Sequence, residues 1–515
     1  MSVLNRNGEG GSGVSSCMRE GRITGICTEC QTDYILPDYM GDVKRLLKYS
    51  ATVVPCNKFI SGGEASALEA VSFSLTYLDA EDVLTEATFS ADVEHNERIP
   101  EGTRDVCFNT RVSTVTVRLG GPRKISARAS LITDISFAEE KEIPFVGLGA
   151  GAHDVRVPMN IHTAEYLKCD EREYAEQIER FEDLTADEAD VIKYDARAFI
   201  DSVHKTDGGV NLSGAIVAWC VLRVGDDVMR AEKTIPIEEN LEIEGACESS
   251  VYVPHVYVTD KNLNMNVTPE DKDGQSFLSV VMNMTLECEV EHHKNLEYSS
   301  VTDAFYENWE SAAEYADFSY NELLGATRER RKTSLTADRG EENLHDVVER
   351  DAVLKNVKYE AENGEVKLCA DMCVTLVCRG ADGGDFFPLK LEGSIEERIK
   401  LHGACEGSRI RVSMDACEVS PSFDSDKIYV DVTLSLSALC EMPKKVKLLA
   451  SLEKCDELDT SGKKIIVYYP EVGDTLWSVA KKYAISPERI ASRNMLALKD
   501  GADFGISELK RIIIA

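Results

Sequence analysis

Two distant stretches of the chain are nearly one stretch written twice. Ile237–Ser250 and Ile395–Ser408 align without a gap, and Gly245-Ala246-Cys247-Glu248 recurs as Gly403-Ala404-Cys405-Glu406. An internal repeat restricts the fold more than composition does, because each copy must be a structural unit that can recur. The flanks match as well. An apolar run precedes each copy, Ala215–Leu222 and Met372–Val377. An alternating run follows each: Leu278, Val280, Met282 and Met284 after the first, Ile428, Val430, Val432, Leu434 and Leu436 after the second. Period-two alternation of branched apolar residues marks half-buried strands.

A weaker third copy lies upstream. Val71–Tyr77 takes the place of the leading strand, Val93-Glu94-His95 that of the marker, and Ile125, Ala127, Ala129 and Leu131 alternate behind it. With 515 residues, far beyond one hydrophobic core, several domains are required. The expected organisation is a flexible N-terminal segment at 1–31 and three antiparallel, sandwich-like β units at 32–140, 185–296 and 345–455. Helical spacers are expected at 141–184 and 297–344, because Asp170–Ala198 and Asp303–Lys332 are rich in Glu, Ala, Arg and Tyr. The fold class is therefore mainly β and multi-domain, with no βαβ alternation to suggest a doubly wound enzyme fold.

The last segment, 464–515, reads differently. A strand at Ile465–Tyr469 leads to a turn. Thr475 then caps a helix whose inner face is Leu476, Trp477, Val479, Ala480 and Tyr483. Ser486 and Pro487 start a second helix that Asn494 ends, and Leu509–Ile514 is a final β run, giving a small βααβ domain.

The formal charge of −34 would repel nucleic acid and anionic membranes alike. It is concentrated in the repeats and spacers and leaves the C-terminal segment near neutral. No apolar run reaches the ~18–20 residues of a membrane span. No secretory signal is visible in the Gly/Ser/Asn-rich stretch Met1–Ser16, so a cytoplasmic start is expected. The 16 cysteines are scattered, which suits buried thiols in a reducing compartment, Cys247 and Cys405 among them.

The run Tyr469–Tyr483, centred on Val472-Gly473-Asp474-Thr475-Leu476-Trp477-Ser478-Val479-Ala480, resembles a LysM domain, as does Ile485–Ile490 behind it. The resemblance implies a shallow groove for N-acetylglucosamine glycans such as peptidoglycan. Its walls would be Gly473, Asp474, Thr475 and Leu476 on one loop and Asn494, Met495 and Leu496 on the other. Asn494-Met495 stands where the family commonly has Asn-Pro, and Phe504–Ser507 where it has Pro-Gly-Gln. The stretches Thr32–Tyr49, Arg123–Ala129 and Thr302–Tyr306 resemble SPOCS repeats, found upstream of a C-terminal LysM in spore-envelope morphogenetic proteins of clostridia. That resemblance implies a non-catalytic scaffold in the mother cell at the forespore and spore-coat surface. Its partner would be a coat morphogenetic protein like stage IV sporulation protein A, cortex glycan, or both, with self-association through the repeats.

Residues that could carry catalysis or metal binding each have a plainer explanation. Cys27 and Cys30 form a single CxxC without a second pair, expected in an unstructured loop. Cys369, Cys373 and Cys378 suit strand packing. Gly147–Gly151 has no following helix, and Ser461-Gly462-Lys463 lacks the glycine of a phosphate loop. Asp271–Gly274 reads as a hairpin turn without the acidic ligand that calcium needs. His292-His293, beside Glu289 and Glu291, is expected as a solvated charge cluster, and Arg328–Lys332 as a solvated helix end. No cofactor, metal site or catalytic residue is expected.

Overall fold

Alternating runs become strands, and here they become very long ones. The fold is that of a computed structural model, which describes residues 14–182, 184, 188–225, 227–268, 277–338, 344–381, 385–458, 465–498 and 504–514. Asp271–Gly274 and Ser461–Lys463 lie outside them.

The first module runs through β1 (Val14–Ile35), β2 (Val43–Ser61), β3 (Glu64–Asp79), β4 (Leu84–Arg98), β5 (Thr103–Leu119) and β6 (Lys124–Pro144). Strands β2-β3-β4 form one antiparallel sheet, and β1-β6-β5 lie side by side in another. Val71, Phe73, Leu75 and Tyr77 of β3 pack on Ile125, Ala127, Ala129 and Leu131 of β6. Each set lies on one face of its strand because side chains alternate.

The second module repeats the plan. It comprises β7 (Ala152–Lys168), β8 (Arg172–Glu182), β9 (Ala189–Thr206), β10 (Gly209–Val224), β11 (Asp227–Glu242), β12 (Val251–Thr268) and β13 (Phe277–Tyr306). Sheet β9-β10-β11 covers the sheet built on β13, which pairs with β12 on one side and with β8 and then β7 on the other. The third module has β14 (Trp309–Asp338), β15 (Leu344–Glu362), β16 (Glu365–Gly380), β17 (Phe386–Lys400), β18 (Arg409–Phe423) and β19 (Lys427–Glu457), in sheets β15-β16-β17 and β14-β19-β18. The duplicated motif is the turn after β11 and after β17. Gly245 and Gly403 hold φ of 74° and 83°, the left-handed region open to glycine, and at Gly403 a Cβ would meet the Leu324 Cβ at 2.6 Å.

Several expectations are corrected. Among the described residues neither spacer is an α-helix: Asp170–Ala198 takes in β8 and the start of β9, while Asp303–Lys332 finishes β13 and runs along β14. Helix propensity is a weak prior, and β14 pairs with β19 from Trp309↔Glu457 to Asp338↔Lys427. The N-terminal segment is not loose from Val14 onward, because β1 pairs with β6 along its length. Cys27 and Cys30 therefore sit in a strand, one exposed and one buried, rather than in a loop. Cys247 and Cys405 are exposed in the turns, not packed in strands. Arg328–Lys332 belongs to β14, where Arg328 donates to the Ile200 carbonyl at 3.1 Å.

The three small sheets meet at a shared centre. Leu47, Leu78 and Leu84 of the first module join Trp219, Val221 and Val228 of the second and Val348, Val377 and Phe386 of the third. Three contacts close this into a ring. Arg223 at the end of β10 donates to the Leu84 carbonyl at 2.8 Å, and Arg379 at the end of β16 pairs with Asp227 at 3.0 Å. Arg45 of β2 donates to the Phe386 carbonyl.

A buried ionic network fills the centre. Lys48 and Lys193 both approach the Glu349 carboxylate, at 3.1 and 3.3 Å, and Thr76 donates to it at 2.5 Å. Lys193 also meets Glu86 at 3.0 Å, and Arg197 holds Asp351 at 2.9 Å. Burial alone would push both carboxyls up. The Lys193 and Lys48 charges at Glu349, and Arg197 and Lys48 at Asp351, outweigh it and hold each at about 2. Because the folded values lie below the unfolded ones, this stability is present above the ordinary carboxylate range and is lost as pH falls toward 2. Thermal unfolding of the full chain should accordingly weaken between pH 5 and 2. Glu349→Gln should cost about 3–5 kcal/mol at pH 7 by leaving two buried lysines underpaired. It should also flatten the acid limb; an unchanged acid limb would show that Glu349 does not carry this dependence.

Candidate functional site

The C-terminal segment folds as its caps dictate. Strand β20 (Val467–Tyr468) pairs with β21 (Ile512–Ile513), and α1 (Leu476–Tyr483) and α2 (Pro487–Arg493) lie between them. Thr475 caps α1: its hydroxyl accepts from the Ser478 amide, and the Ser478 hydroxyl returns a bond to the Thr475 backbone. Ser486 caps α2, with Pro487 in the first turn. Leu476, Trp477, Val479, Ala480, Ile490 and Ile512 form the core.

The loop ahead of α1 is held by one carboxylate. Asp474 accepts from the Glu471 amide at 2.7 Å and from the Tyr468 hydroxyl at 2.8 Å, and these two bonds draw its carboxyl below the usual range. Gly473 makes the turn with φ of 97°. The loop then pairs with Phe504–Ile506: the Leu476 amide donates to the Phe504 carbonyl and the Ile506 amide to the Asp474 carbonyl, each at 3.0 Å.

The seven sequence-predicted groove residues therefore divide. Gly473 is exposed at the tip, Asp474 and Thr475 shape and cap the loop, and Leu476 is buried in the core. Asn494 is a clamp, donating to the carbonyls of Ile490 and Ile513 and accepting from the Ile513 amide. Leu496 leans on the core, and Met495, at 96% exposure with φ of 53°, projects into solvent. The described contacts bring the first loop against Phe504–Ile506 rather than against Asn494–Leu496. An exposed apolar set escaped the sequence reading: Val472 at the loop tip, and Val467 paired with Ile513 across the small sheet.

Residues 471–501 match the LysM domain. No curated protein and no solved structure matches the chain. Among the described residues no helix is long and apolar enough to cross a membrane.

The LysM domain is seated on the β body by the other side of α1. Asp303 near the end of β13 accepts from the Trp477 indole at 2.9 Å, from Lys481 at 2.5 Å and from the Tyr315 hydroxyl at 2.6 Å. Burial would raise the Asp303 carboxyl, but these three donors draw it down. Phe305 joins the LysM core, with its ring 5.2 Å from that of Trp477. Arg489 pairs with Glu307 at 2.8 Å, and the Asn308 amide donates to the Ala484 carbonyl at 2.8 Å. The loop face of the LysM domain is left toward solvent.

A second polar cluster lies deep in the body, and it overturns the reading of His292-His293 as solvated. Both histidines and Glu291 are buried. His162 of β7 bridges Glu441 of β19 at 3.0 Å and His293 at 3.1 Å, while Arg411 of β18 pairs with Glu291 at 2.6 Å. Arg22 grips Glu20 of β1 at 2.9 Å. The three modules thus meet a second time through charges. The pairing of β13 with both β12 and β7 encloses the two histidines, and local sequence does not reveal that pairing.

Asp303 is the decisive residue of the LysM seat. Asp303→Ala should release Trp477 and Lys481 at a cost of about 1–3 kcal/mol. Amide hydrogen exchange across 476–483 should accelerate while β16 and β19 stay protected. Unaltered exchange in α1 would mean the seat does not depend on Asp303.

Proposed function

We propose that this chain is a non-catalytic binding scaffold of the spore envelope whose LysM domain presents its loop face to cortex glycan or to a coat morphogenetic partner. The observation that carries the reading is a LysM domain fixed by α1 to a body of three like β modules, with Val472, Gly473 and Met495 exposed. A binding domain held rigidly on a body loses little orientational freedom on capture. The stretches 32–140, 185–296 and 345–455, which lie within the three modules, are read as SPOCS repeats, which adds the mother-cell surface of the forespore as the location. A partner resembling stage IV sporulation protein A fits the same reading. Self-association through the repeats belongs to it too, since several weak sites on one chain raise effective concentration. Strands β4, β11 and β17, each paired on one side among the described residues, carry Glu94, Glu238, Glu392 and Glu396, and like charges disfavour direct edge-to-edge pairing.

The second reading is a plain peptidoglycan-binding protein, favoured by the LysM match alone. Retention of the full chain on purified peptidoglycan tests both. If glycan is the ligand, Met495→Asp combined with Val472→Asp should reduce retention at least tenfold, with the fold intact by circular dichroism. Retention of neither parent nor variant, with the coat partner still captured by the parent and lost in the variant, favours the scaffold. Failure of the parent chain to bind glycan or partner would overturn both readings.

A further inference from the structure

The buried cluster where the three modules meet contains a second group of side chains, whose potential ligand atoms converge. Cys107 of β5, His255 of β12 and Glu291 of β13 place one ligand atom each within 4.8 Å of one another. We infer that Cys107, His255 and Glu291 bind a divalent transition-metal ion of the zinc class, joining the first module to the second.

Four observations support this assignment. A thiolate, an imidazole and a carboxylate form a borderline donor set that suits zinc, cobalt or nickel and disfavours magnesium and calcium. One ligand, Glu291, is also oriented from behind. One Glu291 oxygen lies 2.7 Å from His255 Nε2, while the other is held by Arg411 at 2.6 Å and by His293 at 2.9 Å. His293 leans in turn on His162 and through it on Glu441. Backing of ligands by such hydrogen-bonded chains is the usual second layer of a metal site.

Access and a fourth ligand are available. The triad lies on the wall of a cavity of roughly 870 Å³, lined also by Arg197, Tyr257, Arg328 and Ser413 from the second and third modules. Water filling that space can complete a tetrahedral site. The Tyr166 hydroxyl is buried and has no hydrogen-bond partner among the described residues. Tyr166 sits directly across from Glu291 in the β7–β13 pairing, so both side chains leave the same face of the sheet. A water on the ion would give that hydroxyl a partner.

The charges also balance. With the imidazoles neutral, as metal ligation requires of His255, Glu20, Glu291 and Glu441 bring three negative charges, and Arg22 and Arg411 bring two positive ones. The remaining negative charge is cancelled when a divalent ion enters and Cys107 gives up its proton, a net gain of one positive charge. The neighbouring group Glu20, His162 and His293 is less suited, because Arg22 already occupies the Glu20 carboxylate through two bonds.

Cobalt(II) titration of the full, metal-free chain tests the site. One equivalent should produce thiolate-to-cobalt charge-transfer absorption in the near ultraviolet and release one proton, and zinc should displace it. Cys107→Ser should abolish the absorption. His255→Gln, at the least buried of the three positions on the cavity wall, should weaken cobalt binding at least tenfold while circular dichroism stays unchanged. The double variant Cys247→Ser and Cys405→Ser, which removes two exposed turn thiols, should retain the band. No thiolate band in the parent chain, or a band unchanged in both Cys107→Ser and His255→Gln, would overturn the assignment.

Discussion

Lys48, Lys193 and Glu349 occupy one position of the repeat, and their difference in charge is what allows the modules to close. They stand in Leu46-Leu47-Lys48-Tyr49-Ser50, Val191-Ile192-Lys193-Tyr194-Asp195 and Val347-Val348-Glu349-Arg350-Asp351, each in the first strand of its small sheet. Three lysines brought together in a dry centre would repel one another, and three glutamates would do the same. One glutamate between two lysines, with Glu86 and Asp351 supplying the remaining negative charge, satisfies all of them. Breaking such a network is expensive because the surviving charge is left buried. The apolar ring of Leu47, Trp219, Val348 and their neighbours gains its burial only in the geometry that this network permits.

The alternating cores were legible because their period survives any loop change. Val71–Tyr77 against Ile125–Leu131 and the strand Ile428–Leu436 are found where alternation places them. The caps at Thr475 and Ser486 and the helix end at Asn494 were equally readable, being local chemistry. Residues whose environment comes from distant partners were not. The stretch Asp303–Lys332 has helical composition and becomes strand because β19 runs beside it. His292 and His293 look solvated until β7 and β12 flank them. The Leu-Leu-Lys-Tyr and Val-Ile-Lys-Tyr echo at Lys48 and Lys193 was present in the sequence but carries weight only once Glu349 is seen between them. In the LysM segment the loop positions were legible, but the burial of Leu476 and the clamping role of Asn494 depend on Phe504 and Ile513.

Seating the LysM domain through α1 has a cost and a consequence. It places Asp303, Trp477 and Lys481 at a partly dry interface, where a carboxylate must be matched by donors to be tolerated. Three donors converge on it, so the contact is directional as well as apolar. The face of α1 toward Asp303 is thereby spent on the chain's own β body. What stays exposed is the loop at Gly473, the projecting Met495 and the outer face of the β20–β21 pair, where Val467 faces Ile513.

Duplicated modules face a problem that a single domain does not: each copy can dock in another copy's place. At the small-sheet centre the chain has solved it by letting equivalent positions diverge in charge. At the second junction the divergence is wider. When β6, β13 and β19 are aligned on Leu131, Met284 and Leu434, Glu291 and Glu441 fall at one position and Ala138 at the third. The carboxylates meet Arg411 and His162 respectively, so exchanging modules would leave one of these groups buried without its partner. Polar specificity is therefore placed at the junctions and apolar packing within the modules. Junction pairs fix which module sits next to which, and the alternating cores supply the stability to hold them there.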